Sequence, residues 1–137
     1  MLAGAEARIR AYLKDRSTLE ADLATPLVRL CARGGGKARY EQYLKAVRSA
    51  TTPQDRTRFE LALGDFEDPA LIQRTLELLT NPLIPTQDVA LLVVRLLGNP
   101  SAREPTWEFV QRRWDVLSPR ISTGLASRVV SALPALK

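Results

Sequence analysis

The sequence predicts an all-α fold of seven or eight short helices stacked as antiparallel neighbours, and three observations carry that expectation. Helix-start signals recur at Thr52-Pro53, Asp68-Pro69, Thr86, Ser101 and Ser118-Pro119, at spacings of 16, 18, 15 and 17 residues. A side-chain oxygen at each start can accept from the unbonded amides of a first turn, and proline at the first helical position has no donor to lose. Between the starts, apolar residues return with the helical period, and no segment alternates convincingly with period two. Two successive units occupy about 33 residues, the period of a helix-pair repeat. Identity between the units is poor, so the repeat is architectural. A length of 137 residues suits one ordinary domain, expected to span residues 1–137.

The elements follow in order. Ile9, Tyr12 and Leu13 form the first apolar stripe. Pro26 either kinks the second helix or restarts it after Thr25. Gly34-Gly35-Gly36 reads as a helix stop and flexible link, because it follows a helical pattern and lacks both a GK[ST] ending and GxGxxG spacing. Tyr40, Leu44 and Val47 make the next stripe, then Phe59, Leu63 and Phe66, then Ile72, Leu76 and Leu79. Val89 to Leu97 is apolar at every position but Arg95, which predicts a helix enclosed by its neighbours. Ile121, Leu125, Val129 and Leu133 form the last stripe.

Both tryptophans fall in NPSAREPTWEFVQRRWDVL. From Trp107, the residues Val110, Trp114 and Leu117 lie at +3, +7 and +10, so both indoles share one apolar stripe. Rings that bury on the order of 200 Å² each would be the heaviest single contributors to the core. The reading is packing between helices rather than a platform for a ligand. For the start of this helix, Ser101 and Glu104 fit a capping box, but Pro105 would then delete the first intrahelical bond, so Glu104 capping with Pro105 leading is the alternative.

Composition removes most chemistry. With 45% hydrophobic and 26% charged residues this is an average globular composition. The chain contains no histidine, which eliminates HExxH zinc sites, Ser-His-Asp triads and Cys-His pairs together. The single cysteine, Cys31, sits within LVRLCAR and reads as a small core residue with no base to activate it. No catalytic, cofactor-binding or metal-ligating residue is assigned. No apolar run approaches the roughly 20 residues of a membrane span, and MLAGAEARIRAYLKDR lacks the apolar core of a secretory signal. A cytoplasmic location and no membrane partner are expected. Net charge is +5, and residues 1–50 hold ten Lys/Arg against five Asp/Glu while the remainder balances ten against ten. That bias admits three readings: a nucleic-acid footprint, a solvated helical face, or a contact surface for an acidic neighbouring domain.

The ordered series FELALGDFEDPALIQRTLELL, PTQDVALLVVRLLGNPSAR and TWEFVQRRWDVL resembles the C-terminal helical domain of the M1 zinc aminopeptidases, in the branch that contains the puromycin-sensitive and endoplasmic-reticulum aminopeptidases. The matching elements are Leu61-Ala62-Leu63, Asp68-Pro69, Gln87-Asp88, and Trp107-Glu108-Phe109 with Trp114, and the likeness covers about residues 37–133. Thr106 and Arg113 depart from the alanine and asparagine often found there. The resemblance implies a HEAT- or armadillo-like array of helix pairs, of which this chain is expected to be a part. It implies a non-catalytic domain covering the active-site chamber and limiting or guiding peptide access. Zinc, the HExxH motif and the GAMEN-type motif belong by the same resemblance to other domains of the parent, which would be its partners together with peptide substrates. A truncated array is also expected to self-associate through uncovered apolar faces. Arg95 is a candidate for the chamber wall, although no family motif gives it a role. Two readings stand beside this one: a freestanding helical-repeat adaptor, and a basic helical repeat on nucleic acid.

Overall fold

The computed structural model describes residues 2–120 and contains no strand among them. Eight α-helices are described: α1 Leu2–Lys14, α2 Ala21–Arg33, α3 Lys37–Ser49, α4 Pro53–Ala62, α5 Pro69–Leu78, α6 Thr86–Gly98, α7 Arg103–Arg112 and α8 Trp114–Leu117. Short 3-10 turns occupy Arg16–Thr18, Leu63–Asp65 and Ser118–Arg120. The predicted stripe from Ile121 to Leu133 lies outside the described residues. The chain divides into two compact units, Met1–Phe66 and Glu67–Lys137.

In the first unit, α1 packs on α2, and α4 packs on both α2 and α3. The link between α3 and α4 is only residues 50–52, so the chain must reverse direction there. Thr52 stops that link from unravelling: its hydroxyl oxygen accepts from the Asp55 amide at 3.1 Å, and Pro53 occupies the first helical position. Helix α2 runs unbroken through Pro26, so of the two alternatives there the restart after Thr25 does not occur. Gly34, Gly35 and Gly36 do end α2 and separate it from α3. Gly35 is also a packing residue, since a Cβ there would stand 2.9 Å from the Arg39 Cγ, the Cys31 carbonyl oxygen and the Phe66 ring.

Aromatic rings fill this core. Tyr40, Tyr43, Phe59 and Phe66 are fully buried, and the pairs Tyr40–Phe66, Tyr43–Phe59 and Tyr43–Phe66 meet edge to face at 5.1, 5.1 and 5.6 Å. Ile9, Tyr12, Leu44, Val47 and Leu63 close the core around them, as their periodicity predicts, while Leu13 is only half-buried. Tyr43, outside the predicted stripe, is central, and its hydroxyl donates to the Val28 carbonyl at 2.7 Å.

The second unit starts from Asp68, whose carboxylate accepts from the Ala70 and Leu71 amides and caps α5 behind Pro69. Ile72, Leu76 and Leu79 are buried as expected. The loop after α5 is tied by Arg120, whose guanidinium donates to the carbonyls of Leu79, Asn81 and Ile84. Helix α6 opens at Thr86, with Pro85 before it and no side-chain cap, so Thr86 begins the helix rather than capping it. Nor is α6 enclosed all round: Leu91 and Val94 are 39% and 40% exposed, three residues apart on one face.

Helix α7 resolves the choice at its start in favour of neither alternative. It begins at Arg103 behind Ala102, with no side-chain cap. Pro105 is then the third helical residue, and the first intrahelical bond, Thr106 N–H to Ala102 C=O at 2.9 Å, lies beyond it. Proline at that position therefore deletes nothing. Ser101 gives its own amide to the Asn99 side chain at 3.1 Å in the preceding turn.

Candidate functional site

The tryptophan segment is not one helix. It breaks at Arg113, whose φ of −114° and ψ of 22° end α7, and α8 restarts at Trp114. The break rotates the two rings off a common stripe, and the buried residues are Thr106, Phe109, Val110 and Leu117. Trp107 is half-buried and Trp114 is 37% exposed. The expectation that the indoles are the heaviest parts of the core is thereby corrected: a helix terminus, which the 3.6-residue count cannot see, intervenes between them. The fully buried aromatic rings are instead the tyrosines and phenylalanines of the first unit, and the buried residues of the second are mainly aliphatic.

Cys31 is half-buried, with its Sγ 3.8 Å from the Ala5 carbonyl, and burial pushes its thiol above the usual range. Such a thiol is a poor nucleophile at neutral pH. Arg95 is half-buried and engaged with its surroundings. Among the described residues, no group of three or more His, Cys, Asp or Glu side chains is placed to hold a metal ion, and no helix is long and apolar enough to cross a membrane.

The most organised polar constellation was not visible as a motif, because its members lie about 40 residues apart. Nε of Arg16 donates to both carboxylate oxygens of Asp55 at 3.1 Å, and its Nη1 donates to the carbonyls of Tyr12 and Leu13 at 2.8 and 2.7 Å. Those two carbonyls are among the unbonded acceptors at the end of α1. Arg58 Nη1 donates to the Tyr12 hydroxyl at 2.7 Å and lies 3.6 Å from Asp55, while its Nε donates to the Thr25 hydroxyl at 3.1 Å. The Arg16 guanidinium also covers the rings of Tyr12 and Phe59, at 5.3 and 5.0 Å. Desolvation raises the Tyr12 phenol, which stays neutral between the charges. A hollow of about 310 Å³ opens beside this cluster at the start of α4, and a second of about 320 Å³, lined by Arg10, Lys14 and Lys45, shares Arg16 with it.

Two more ion pairs knit the first unit. Arg29 grips Asp65 with two bonds of 3.1 and 3.3 Å, and Arg39 pairs with Glu6 while donating to Gln42 at 2.7 Å. The basic surplus of residues 1–50 is thus partly answered by acids from beyond residue 50, namely Asp55 and Asp65.

Comparison with known proteins gives a consistent result. The family model described as "ERAP1-like C-terminal domain" matches residues 1–135. The mitochondrial aminopeptidase 2 of Saccharomyces cerevisiae is 29% identical over 95 residues, 69% of this chain and 10% of that protein. The alanine/arginine aminopeptidase of the same yeast is 28% identical over 93 residues, 68% of this chain and 11% of that protein. The glutamyl aminopeptidase of Rattus norvegicus is 25% identical over 123 residues, 88% of this chain and 13% of that protein. The chain thus spans about a tenth of the length of these relatives.

Proposed function

Because this chain belongs to the ERAP1-like C-terminal domain family of the M1 aminopeptidases, we propose that it serves as a non-catalytic wall of a larger zinc aminopeptidase. In this reading its helix pairs continue a HEAT-like array over the active-site chamber and limit or guide the peptides that reach the catalytic domain. The match of the family model to nearly the whole chain, beside coverage of only about a tenth of each relative, is the observation that carries it. The chain's own chemistry agrees: it has no histidine, and its one thiol is held protonated.

The catalytic zinc then belongs to another domain of the parent, which is the partner of this one, and peptides are the substrates of the whole. Exposed Leu23 and Leu30 on α2 and Leu91 and Val94 on α6 offer apolar area for docking on other domains, or for self-association of the piece alone. The role assigned involves neither nucleic acid nor membrane. A cytoplasmic parent suits a chain with a single, unpaired cysteine.

The test is direct. The purified chain should bind no stoichiometric zinc and release no chromophore from aminoacyl-anilides. Hydrolysis accompanied by bound metal would refute the assignment.

A further inference from the structure

We propose that the hollow at the start of α4 binds a compact oxyanion, a carboxylate or a phosphate, on Arg16, Arg58 and the backbone amide of Gln54. Arg16 uses Nε on Asp55 and Nη1 on two carbonyls, and its Nη2 donates no hydrogen bond among the described residues. Arg58 uses Nε on Thr25 and Nη1 on Tyr12 and Asp55, and its Nη2 is likewise left over. Both arginines line the same hollow of about 310 Å³. Their side chains are only 32% and 14% exposed, and each is fixed by at least three bonds or ion contacts, so the ordering cost of anion binding is already met in the fold.

The backbone adds a third donor. Pro53 has no N–H, and the Asp55 amide is taken by the Thr52 hydroxyl, which leaves Gln54 N–H as the open amide of the first turn. Gln54, Thr51 and Thr52 line the hollow with the arginines. The positive end of the α4 dipole lies at the same place. Asp55 is the one acid in the wall, and its oxygens already accept from Arg16, with Arg58 and Tyr12 close by at 3.6 and 3.5 Å. Two guanidiniums against one carboxylate leave a unit of positive charge, which a bound oxyanion would neutralise. Planar guanidinium edges suit carboxylate and phosphate oxygens alike.

This inference is independent of the aminopeptidase reading and is tested on the chain itself. The chain labelled with ¹⁵N is titrated at constant ionic strength with inorganic phosphate and, separately, with acetyl-glycyl-glycine and its C-terminal amide. Saturable shifts of the Gln54 amide and the Arg16 and Arg58 Nε–H resonances are expected with phosphate, with the peptide acid, or with both, and the responding probe identifies the source of the oxyanion. Gln54→Glu sets a negative charge at the mouth, where the helix dipole favours an acid and the fold is kept. It should weaken binding roughly tenfold, and Arg58→Gln should act in the same direction. The proposal is overturned by the absence of saturable shifts with both anions, by equal binding of the peptide amide, or by unchanged affinity in folded Gln54→Glu.

Discussion

Arg16 Nε sits 3.1 Å from each carboxylate oxygen of Asp55, 39 residues further along the chain, and so fastens the end of α1 to the first turn of α4. The carboxylate is nearly buried while the guanidinium is about one-third exposed, at 10% and 32% of their side-chain surface. The two halves of the pair are therefore unequal. Asp55→Ala strands Arg16 and Arg58 beside each other and should cost about 3 kcal/mol. Arg16→Ala leaves an Asp55 that still has Arg58 and Tyr12, and should cost nearer 1–2 kcal/mol. Urea unfolding of both single variants and the double variant checks this, and the double should fall short of the sum.

Gly35 predicts a sharp local contrast. A methyl group there meets a backbone carbonyl, a buried ring edge and the stem of Arg39, all at 2.9 Å, and only the last can move cheaply. Gly35→Ala should destabilise by about 1–3 kcal/mol. At Gly34 nothing stands within 4 Å of the added atom, and Gly34→Ala should be close to neutral. Melting temperatures of the two variants decide the point.

The ranking of aromatic residues is equally testable. Phe59 is wholly buried between Tyr12 and Tyr43 and under the Arg16 guanidinium, whereas Trp114 is 37% exposed. Phe59→Ala should cost about 3–5 kcal/mol. Trp114→Ala should cost less than about 1 kcal/mol, despite the larger ring. A reversed order in chemical denaturation would contradict this packing.

Helix starts with proline behind a capping side chain, Thr52-Pro53 and Asp68-Pro69, stand where the pattern places them, because a cap is a local interaction. Thr86 and Ser101 carry the same residue types without capping, since the choice between capping and beginning a helix is made by the turn that precedes them. The stripes of Phe59, Leu63, Phe66 and of Ile72, Leu76, Leu79 were legible by period alone. The break at Arg113 was not, and one undetected terminus moved Trp114 from core to surface. Leu91 and Val94 show the complementary limit: hydrophobicity reports a preference for burial, and their exposure is a property of what α6 packs against. The Arg16–Asp55–Arg58 cluster has no local signature at all, because tertiary folding assembles it from α4 and the turn after α1.

Stability should depend on pH at both ends. The Arg39 hydrogen bond holds the Glu6 carboxyl below its ordinary value of 4.5. Its stabilising effect is present above that value and is lost as pH falls through the lower folded-state value. Burial drives the Tyr43 phenol well above its ordinary 10, so stability is retained below pH 10 and declines above it, where only the unfolded chain ionises readily. Glu6→Gln should flatten the acid limb of a pH–stability curve. Tyr43 should resist ultraviolet titration until the chain unfolds.

A domain that governs access rather than chemistry should set the peptide-length selectivity of its parent enzyme. A parent aminopeptidase is assayed with and without the segment equivalent to this chain, on an aminoacyl-anilide and on a ladder of peptides sharing one amino-terminal residue. In a truncated enzyme that still folds, anilide hydrolysis should persist while the preference among peptide lengths collapses. An unchanged length profile would contradict that role.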